Sequence, residues 1–270
     1  LKNIRTSLGS NYDAVRHIID DSIRVDENGA FYETLKWLSY QKWRNAPSRS
    51  PAFNCPHCHT ELTMGLPIDA EKDNCSNCKG EIFLSDMLGF HLDMDEDSAP
   101  DAVASSYMLI MEHLMLFTAI RVLWDHSDKN LVSDTLFIKD GPLTLRSQYS
   151  KLVPGIRAFL QHAKNQNRPV HVIGQEKSGA FHDHLASIAS FAEPHEHGAP
   201  MSYAVLSHEY VRREVYRSPD LQNAYGMRTN WGEKVFVKFS PGTFMVLNIT
   251  TGNYNQDNQF PASQDLIGLN

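Results

Sequence analysis

The chain has 270 residues, with 25 Lys and Arg against 32 Asp and Glu, a formal net charge of −7. That balance excludes a protein that holds nucleic acid through a global basic charge, and leaves only a local basic groove open to that role. Hydrophobic residues are 41% and charged residues 21%, an ordinary globular mixture with enough apolar surface for a substantial core.

The four cysteines fall in one cluster, a metal-binding pattern rather than a disulfide framework, and this sets the expectation of a reducing, cytoplasmic compartment. We read no secretory leader in the sequence and no apolar run near the roughly 18 residues that span a bilayer, so no membrane partner is expected. The first residue is Leu1 and not Met, which points to an excised or processed segment.

Tyr12, Val15, Ile18, Ile19 and Ile23, then Phe31, Leu35, Leu38 and Trp43, recur at helical spacing. They predict two helices within residues 11–44, parted by Asn28–Gly29. Asp20, Asp21 and Ser22 read as a solvated face of the first. A polar linker over residues 45–50 closes this N-terminal helical segment (1–50).

Cys55-Pro-His-Cys58 and Cys75-Ser-Asn-Cys78 are two C-x2-C knuckles separated by sixteen residues. Each brings two sulfurs together from one tight turn, and four thiolates suit a tetrahedral structural Zn²⁺ with no open position. We therefore expect a four-cysteine zinc ribbon over residues 51–92. His57 and His59 read as exposed loop residues, since four ligands are already present. The loop from Thr60 to Asn74 has one Lys and no Arg. That favours a structural or protein-docking ribbon over one that holds phosphate.

Asp93, Asp95, Glu96 and Asp97 form an acidic run, read as a solvated linker. A long helix is expected over residues 102–124. It is apolar nearly all round, and so expected to be buried. Glu112 stands inside it among Met108, Met111, Leu114 and Met115. A buried carboxylate there would need a partner or a metal, whereas an exposed one would be ordinary.

Leu136–Phe137–Ile138 reads as a buried strand ending at Asp140–Gly141–Pro142–Leu143. A helix follows from about Ser150 to Gln166, then a second apolar run, Val170 to Ile173, closed by Gly174. This is a strand–helix–strand unit with parallel strands. It sets Asp140 at the carboxyl end of a strand, where open α/β sheets place ligands. Lys177 is expected at the same edge, and Ser178 is expected to cap a helix over residues 180–191. His182, Asp183 and His184 are adjacent on that helix and point to different faces. Arg212, Arg213 and Arg217 are the densest basic patch and candidates for phosphate contact, with a solvated face as the alternative. Tyr203 to Leu206 is a short strand, and residues 235–239 and 243–249 form a hairpin. The loop 193–200 and the polar final twenty residues carry few apolar anchors.

Glu112, the stretch FIKDGPL (137–143) and GQEKSG (174–179), in that order, resemble the NurA nuclease family. The resemblance extends over roughly residues 80–250 and reaches YGMR at 225–228. It implies an RNase H-like mixed sheet with flanking helices in residues 93–270, an α/β fold carrying the ribbon as an insertion. It further implies a Mn²⁺- or Mg²⁺-dependent deoxyribonuclease, usually a homodimer, that acts on DNA with a HerA-type hexameric ATPase in DNA-end repair or phage defence. Glu112 and Asp140 would be ligands of the catalytic metal, and Lys177 would lie near the substrate phosphate.

Two family features have no match. No apolar strand followed by Asp-Gly-Ser occurs in residues 1–50, and nothing after Asn253 matches the family's late His. Either both ends of the family fold lie outside this segment, or the chain is a non-catalytic relative. The competing reading is a zinc-ribbon interaction or DNA-binding subunit. A third, a doubly wound enzyme holding a small phosphate ligand near Lys177, lacks a Gly-rich loop.

Overall fold

The computed structural model describes residues 9–25, 27–94, 101–189, 202–218, 225–240 and 243–251. The loop expected at 193–200, the acidic residues Asp95, Glu96 and Asp97, the hairpin turn at 241–242 and the polar tail from 252 lie outside them. The chain forms two compact units: residues 1–125 with 145–159, and residues 126–144 with 160–270.

In the first unit, α1 (Asn11–Ser22) starts at a capping box. The Ser10 hydroxyl accepts from the Asp13 amide at 3.1 Å, and the Asp13 carboxylate accepts from the Ser10 amide at 3.1 Å. Asn28 and Gly29, both at positive φ (66° and 62°), turn the chain into α2 (Ala30–Tyr40). The expected solvated face of α1 is only partly so. Asp20 is buried, accepting from Ser85 at 2.7 Å and pairing with Arg24 at 2.9 Å, while Asp21 is exposed. A carboxylate inside needs such partners.

The ribbon hairpin is β1 (Lys72–Asn74) paired antiparallel with β2 (Glu81–Phe83). Helix α3 (Ala102–Asp125) packs on α2, with Thr34 and Thr118 hydroxyls 2.7 Å apart and the Arg121 guanidinium donating to Thr34 at 3.1 Å. It is buried on one side only, through Ile110, Leu114, Phe117, Ile120 and Trp124, and not all round as expected. Met108, Met115 and Val122 are 64%, 59% and 57% exposed. By length and composition α3 could cross a membrane, which corrects our reading that no segment is apolar enough. Trp37, Trp43, Trp124 and Phe159 meet at ring-centroid distances of 4.5–5.2 Å to form the aromatic core of this unit. Gly155, in α4 (Val153–Asn165), allows close approach to α2: a Cβ there would lie 2.7 Å from the Leu38 carbonyl.

The second unit is a five-stranded mixed sheet in the order β3-β4-β7-β6-β5. Its strands are β3 (Leu136–Asp140), β4 (His171–Glu176), β5 (Ser202–Val205), β6 (Gly232–Ser240) and β7 (Thr243–Thr250). β3 and β4 are parallel, as the strand–helix–strand reading requires, and the remaining pairs are antiparallel. The expectation that β3 is buried does not hold. It is an edge strand, with Leu136 54% and Ile138 69% exposed. One face of the sheet packs Phe236 and Val246 against Phe181 and Leu185 of α5 (Ala180–Ile188). Gly179, not Ser178, is the residue before α5, and no side chain caps it.

Candidate metal centre and strand-end site

The two knuckles repeat one backbone design. Cys55 N–H donates to the Thr60 carbonyl and His59 N–H to Cys55; Cys75 N–H donates to Gly80 and Lys79 N–H to Cys75, all at 2.9–3.0 Å. His59 and Lys79, each four residues past the first cysteine, both adopt the left-handed conformation, with φ 57° and 63°. The repeat aims four Sγ atoms at one point, all within 4.8 Å of one another. The Cys55–Cys78 and Cys58–Cys75 sulfurs are each 3.8 Å apart. A tetrahedron with Zn–S bonds of about 2.3 Å has edges of about 3.8 Å, so the donor set fits a zinc-like ion. Burial pushes the Cys55 thiol up to about 12, while the Thr60 amide, and then its hydroxyl, pull Cys58 down to about 6. A bound dication favours the thiolate at all four.

His57 is exposed and is not needed as a ligand. Its Nε2 lies 2.8 Å from the Glu81 carbonyl and therefore carries the proton. Its ring covers Gly80, where a Cβ would come within 2.6 Å. His59 is likewise exposed. Behind the ribbon, Arg16 of α1 donates to the Glu81 carbonyl at 3.0 Å, pairs with Asp86 at 3.4 Å and lies 4.0 Å over the Phe83 ring. Asp86 also accepts from the Tyr12 hydroxyl at 2.6 Å and the Phe83 amide at 2.8 Å. These contacts fasten the ribbon to α1.

His91 is buried against the edge of Tyr12. Burial first, then nearby His59, lower it to about 4, against a weaker opposing pull from the Asn54 backbone. A histidine depressed from about 6.5 takes up its proton more readily unfolded, so stability falls as pH drops from 6.5 towards 4. The loss approaches about 3 kcal/mol. We expect the drop in urea midpoint between pH 7 and pH 4.5 to shrink in His91→Phe; an unchanged drop would remove His91 as its source.

In the second unit, Asp140 ends β3 opposite Gln175 of β4, and the ladder continues one step as Gly141 N–H donates to the Gln175 carbonyl at 2.8 Å. Gly141, at φ 91°, turns the chain so that Leu143 covers the sheet. A Cβ at Gly174 or Gly232 would meet Leu143 within 3.0 Å. The Asp-Gly-Pro-Leu stretch is therefore a turn that leaves Asp140 outside and seats Leu143 inside. The Asp140 carboxylate is exposed and pairs with Lys177 at 3.0 Å, so these two expected site residues do meet. Among the described residues of this unit, no further carboxylate, histidine or cysteine completes a three-ligand set with Asp140. Glu112 lies in the first unit, exposed on α3.

The three arginines are dispersed. Arg212 is buried, Arg213 pairs with Glu209 at 3.2 Å and Glu214 at 2.7 Å, and Arg217 is exposed. His184 turns away to engage the Tyr210 hydroxyl at 2.7 Å, whereas His182 lies 3.7 Å from Asp183, so the three do not all point apart as expected.

A buried polar group beside the strand end was missed. Lys139, Asn248 and Lys234 lie in one register row across β3, β7 and β6, interrupted at β4 by Gly174. Glu176, the last residue of β4, pairs with Lys234 and accepts from the Asn248 amide at 2.7 Å. All four are buried. Burial holds Lys234 below the ordinary lysine range, with Glu176 opposing. The signal was parity: Glu176 alternates in phase with Val172 and Gly174, and Lys234 with Phe236.

No family model, curated protein or solved structure matches the chain.

Proposed function

We propose that this chain is a metal-dependent DNA nuclease subunit, NurA-like, with an RNase H-like catalytic sheet. In this reading it works as a homodimer in the cytoplasm with a HerA-type hexameric ATPase, in DNA-end repair or phage defence. The observation that carries it is an exposed carboxylate, Asp140, at the carboxyl end of a parallel strand with the Lys177 ammonium 3.0 Å away. A Mg²⁺ or Mn²⁺ ion suits one or two carboxylates, the rest of its shell being water and substrate phosphate. Asp140 would be its protein ligand in this unit. When bound, the ion supplies water activation and steadies the leaving oxygen. Lys177 would orient the phosphate and meet the charge that develops on it. The ribbon would serve as a zinc-stapled docking element, in keeping with its single loop Lys.

With end-labelled single- and double-stranded DNA and Mn²⁺, Lys177→Ala is expected to slow cleavage on the order of 10²–10³-fold. A Lys177→Ala variant as fast as wild type would take Lys177 out of the site. The alternative is a non-catalytic ribbon-bearing interaction or DNA-binding subunit, which predicts no cleavage from any variant or the wild type; the dispersal of the arginines favours its protein-interaction form.

A further inference from the structure

Tyr216 and Tyr225 stack with ring centroids 5.2 Å apart and planes inclined by 21°. Their hydroxyl oxygens are 3.1 Å apart, within hydrogen-bond distance. Each ring meets Phe181 nearly edge-on, at 5.6 and 5.7 Å. Phe181 is buried in the first turn of α5, four residues beyond Lys177. The stack is therefore seated on the same strand-to-helix turn whose Lys177 meets Asp140. Tyr225 covers one face of Tyr216, yet Tyr216 remains 47% exposed. Exposed Arg217 follows it directly, and exposed Arg228 follows Tyr225 in the turn over residues 225–229.

A flat ring packed against two aromatic neighbours and still partly open to solvent is suited to stacking against another flat ring, and exposed arginines close to it in the chain suit the phosphates beside that ring. We propose that Tyr216, backed by Tyr225 and Phe181, is a stacking platform for an unpaired nucleobase, with Arg217 and Arg228 on the adjoining phosphates. This rests on the nuclease reading and narrows its substrate to a strand with an unpaired end. Bases inside a duplex already have both faces covered, whereas any single-stranded base can offer one, so the platform tolerates sequence. The competing role for the stack is structural, as a lid that shields Phe181.

The test is fluorescence anisotropy of the full chain, in EDTA to prevent cleavage, with a labelled oligothymidylate and an abasic oligonucleotide of equal length. Wild type should bind the base-bearing strand more tightly. Tyr216→Ala should weaken that binding about tenfold and leave abasic binding unchanged, as base–aromatic stacking predicts. Tyr216→Phe, which keeps the ring, should stay near wild type. Equal loss on both strands, no loss on either, or no preference by wild type would overturn the proposal. Base discrimination that persists in a protein unable to cleave with Mn²⁺ would sink the nuclease reading alone.

Discussion

Replacing Cys75 with serine is expected to abolish stoichiometric zinc and to open the ribbon between residues 55 and 80, giving cleavage by trypsin at Lys72 and Lys79. Four sulfurs within 4.8 Å of one another, two pairs of them at 3.8 Å, form a donor cluster of tetrahedral size. β1 and β2 have three residues each, too short to hold a hairpin in water without another anchor. Structural zinc supplies binding free energy on the order of 10 kcal/mol that is coupled to folding. The damage should stay local. The base of the ribbon is held by the Arg16 contacts with Glu81 and Asp86, the Tyr40 hydroxyl on the Ala70 carbonyl and the Ser50 hydroxyl accepting from Leu66 at 2.9 Å. Zinc content and limited proteolysis with and without chelator check this. One zinc per chain in Cys75→Ser, or a ribbon indifferent to chelator, would contradict it.

Lys234→Met is expected to destabilise the protein by about 3–5 kcal/mol in urea, because it leaves Glu176 buried without its cation. Glu176 keeps the Asn248 amide as a donor, which offsets part of a carboxylate's desolvation but supplies no opposite charge. The double variant Lys234→Met, Glu176→Gln should recover much of the loss, since a buried pair replaced as a unit costs far less than one broken. If the double variant is no more stable than the single, the two side chains do not act as a pair. The pair also bears on function. Glu176 neighbours Gln175, which faces Asp140 in the ladder, so loosening the end of β4 would move the Lys177 ammonium away from Asp140.

The sequence made the local features legible. Two C-x2-C knuckles predict a metal-binding cluster through spacing alone, and the structure brings all four sulfurs together as such a cluster requires. The strand–helix–strand unit and the final hairpin followed from apolar runs and their breakers, and both are present as a parallel pair and an antiparallel one. What depends on position in the sheet was not legible. Leu136-Phe-Ile reads the same in a central strand as in the edge strand it forms, and only sheet order shows that Leu136 and Ile138 stay exposed. Nor does the unbroken apolar pattern of α3 reveal that Met108, Met115 and Val122 face solvent. Arg212 and Asp20 looked like surface charges because charge type predicts exposure; each is buried. The Lys139, Glu176, Lys234 and Asn248 group is assembled from separate stretches of chain by strand register, which local pattern does not encode.

The proposed nuclease activity stands or falls with the strand-end carboxylate, Asp140. Zinc-loaded wild type and Asp140→Asn are incubated with end-labelled single- and double-stranded DNA in Mn²⁺, Mg²⁺ or EDTA, alone and with a HerA-type ATPase. Cleavage is expected from wild type with Mn²⁺ or Mg²⁺, none in EDTA, and none from Asp140→Asn, which keeps its zinc and its fold because Asp140 is exposed. Cleavage by Asp140→Asn at the wild-type rate, or no cleavage by folded wild type under any condition, would contradict it.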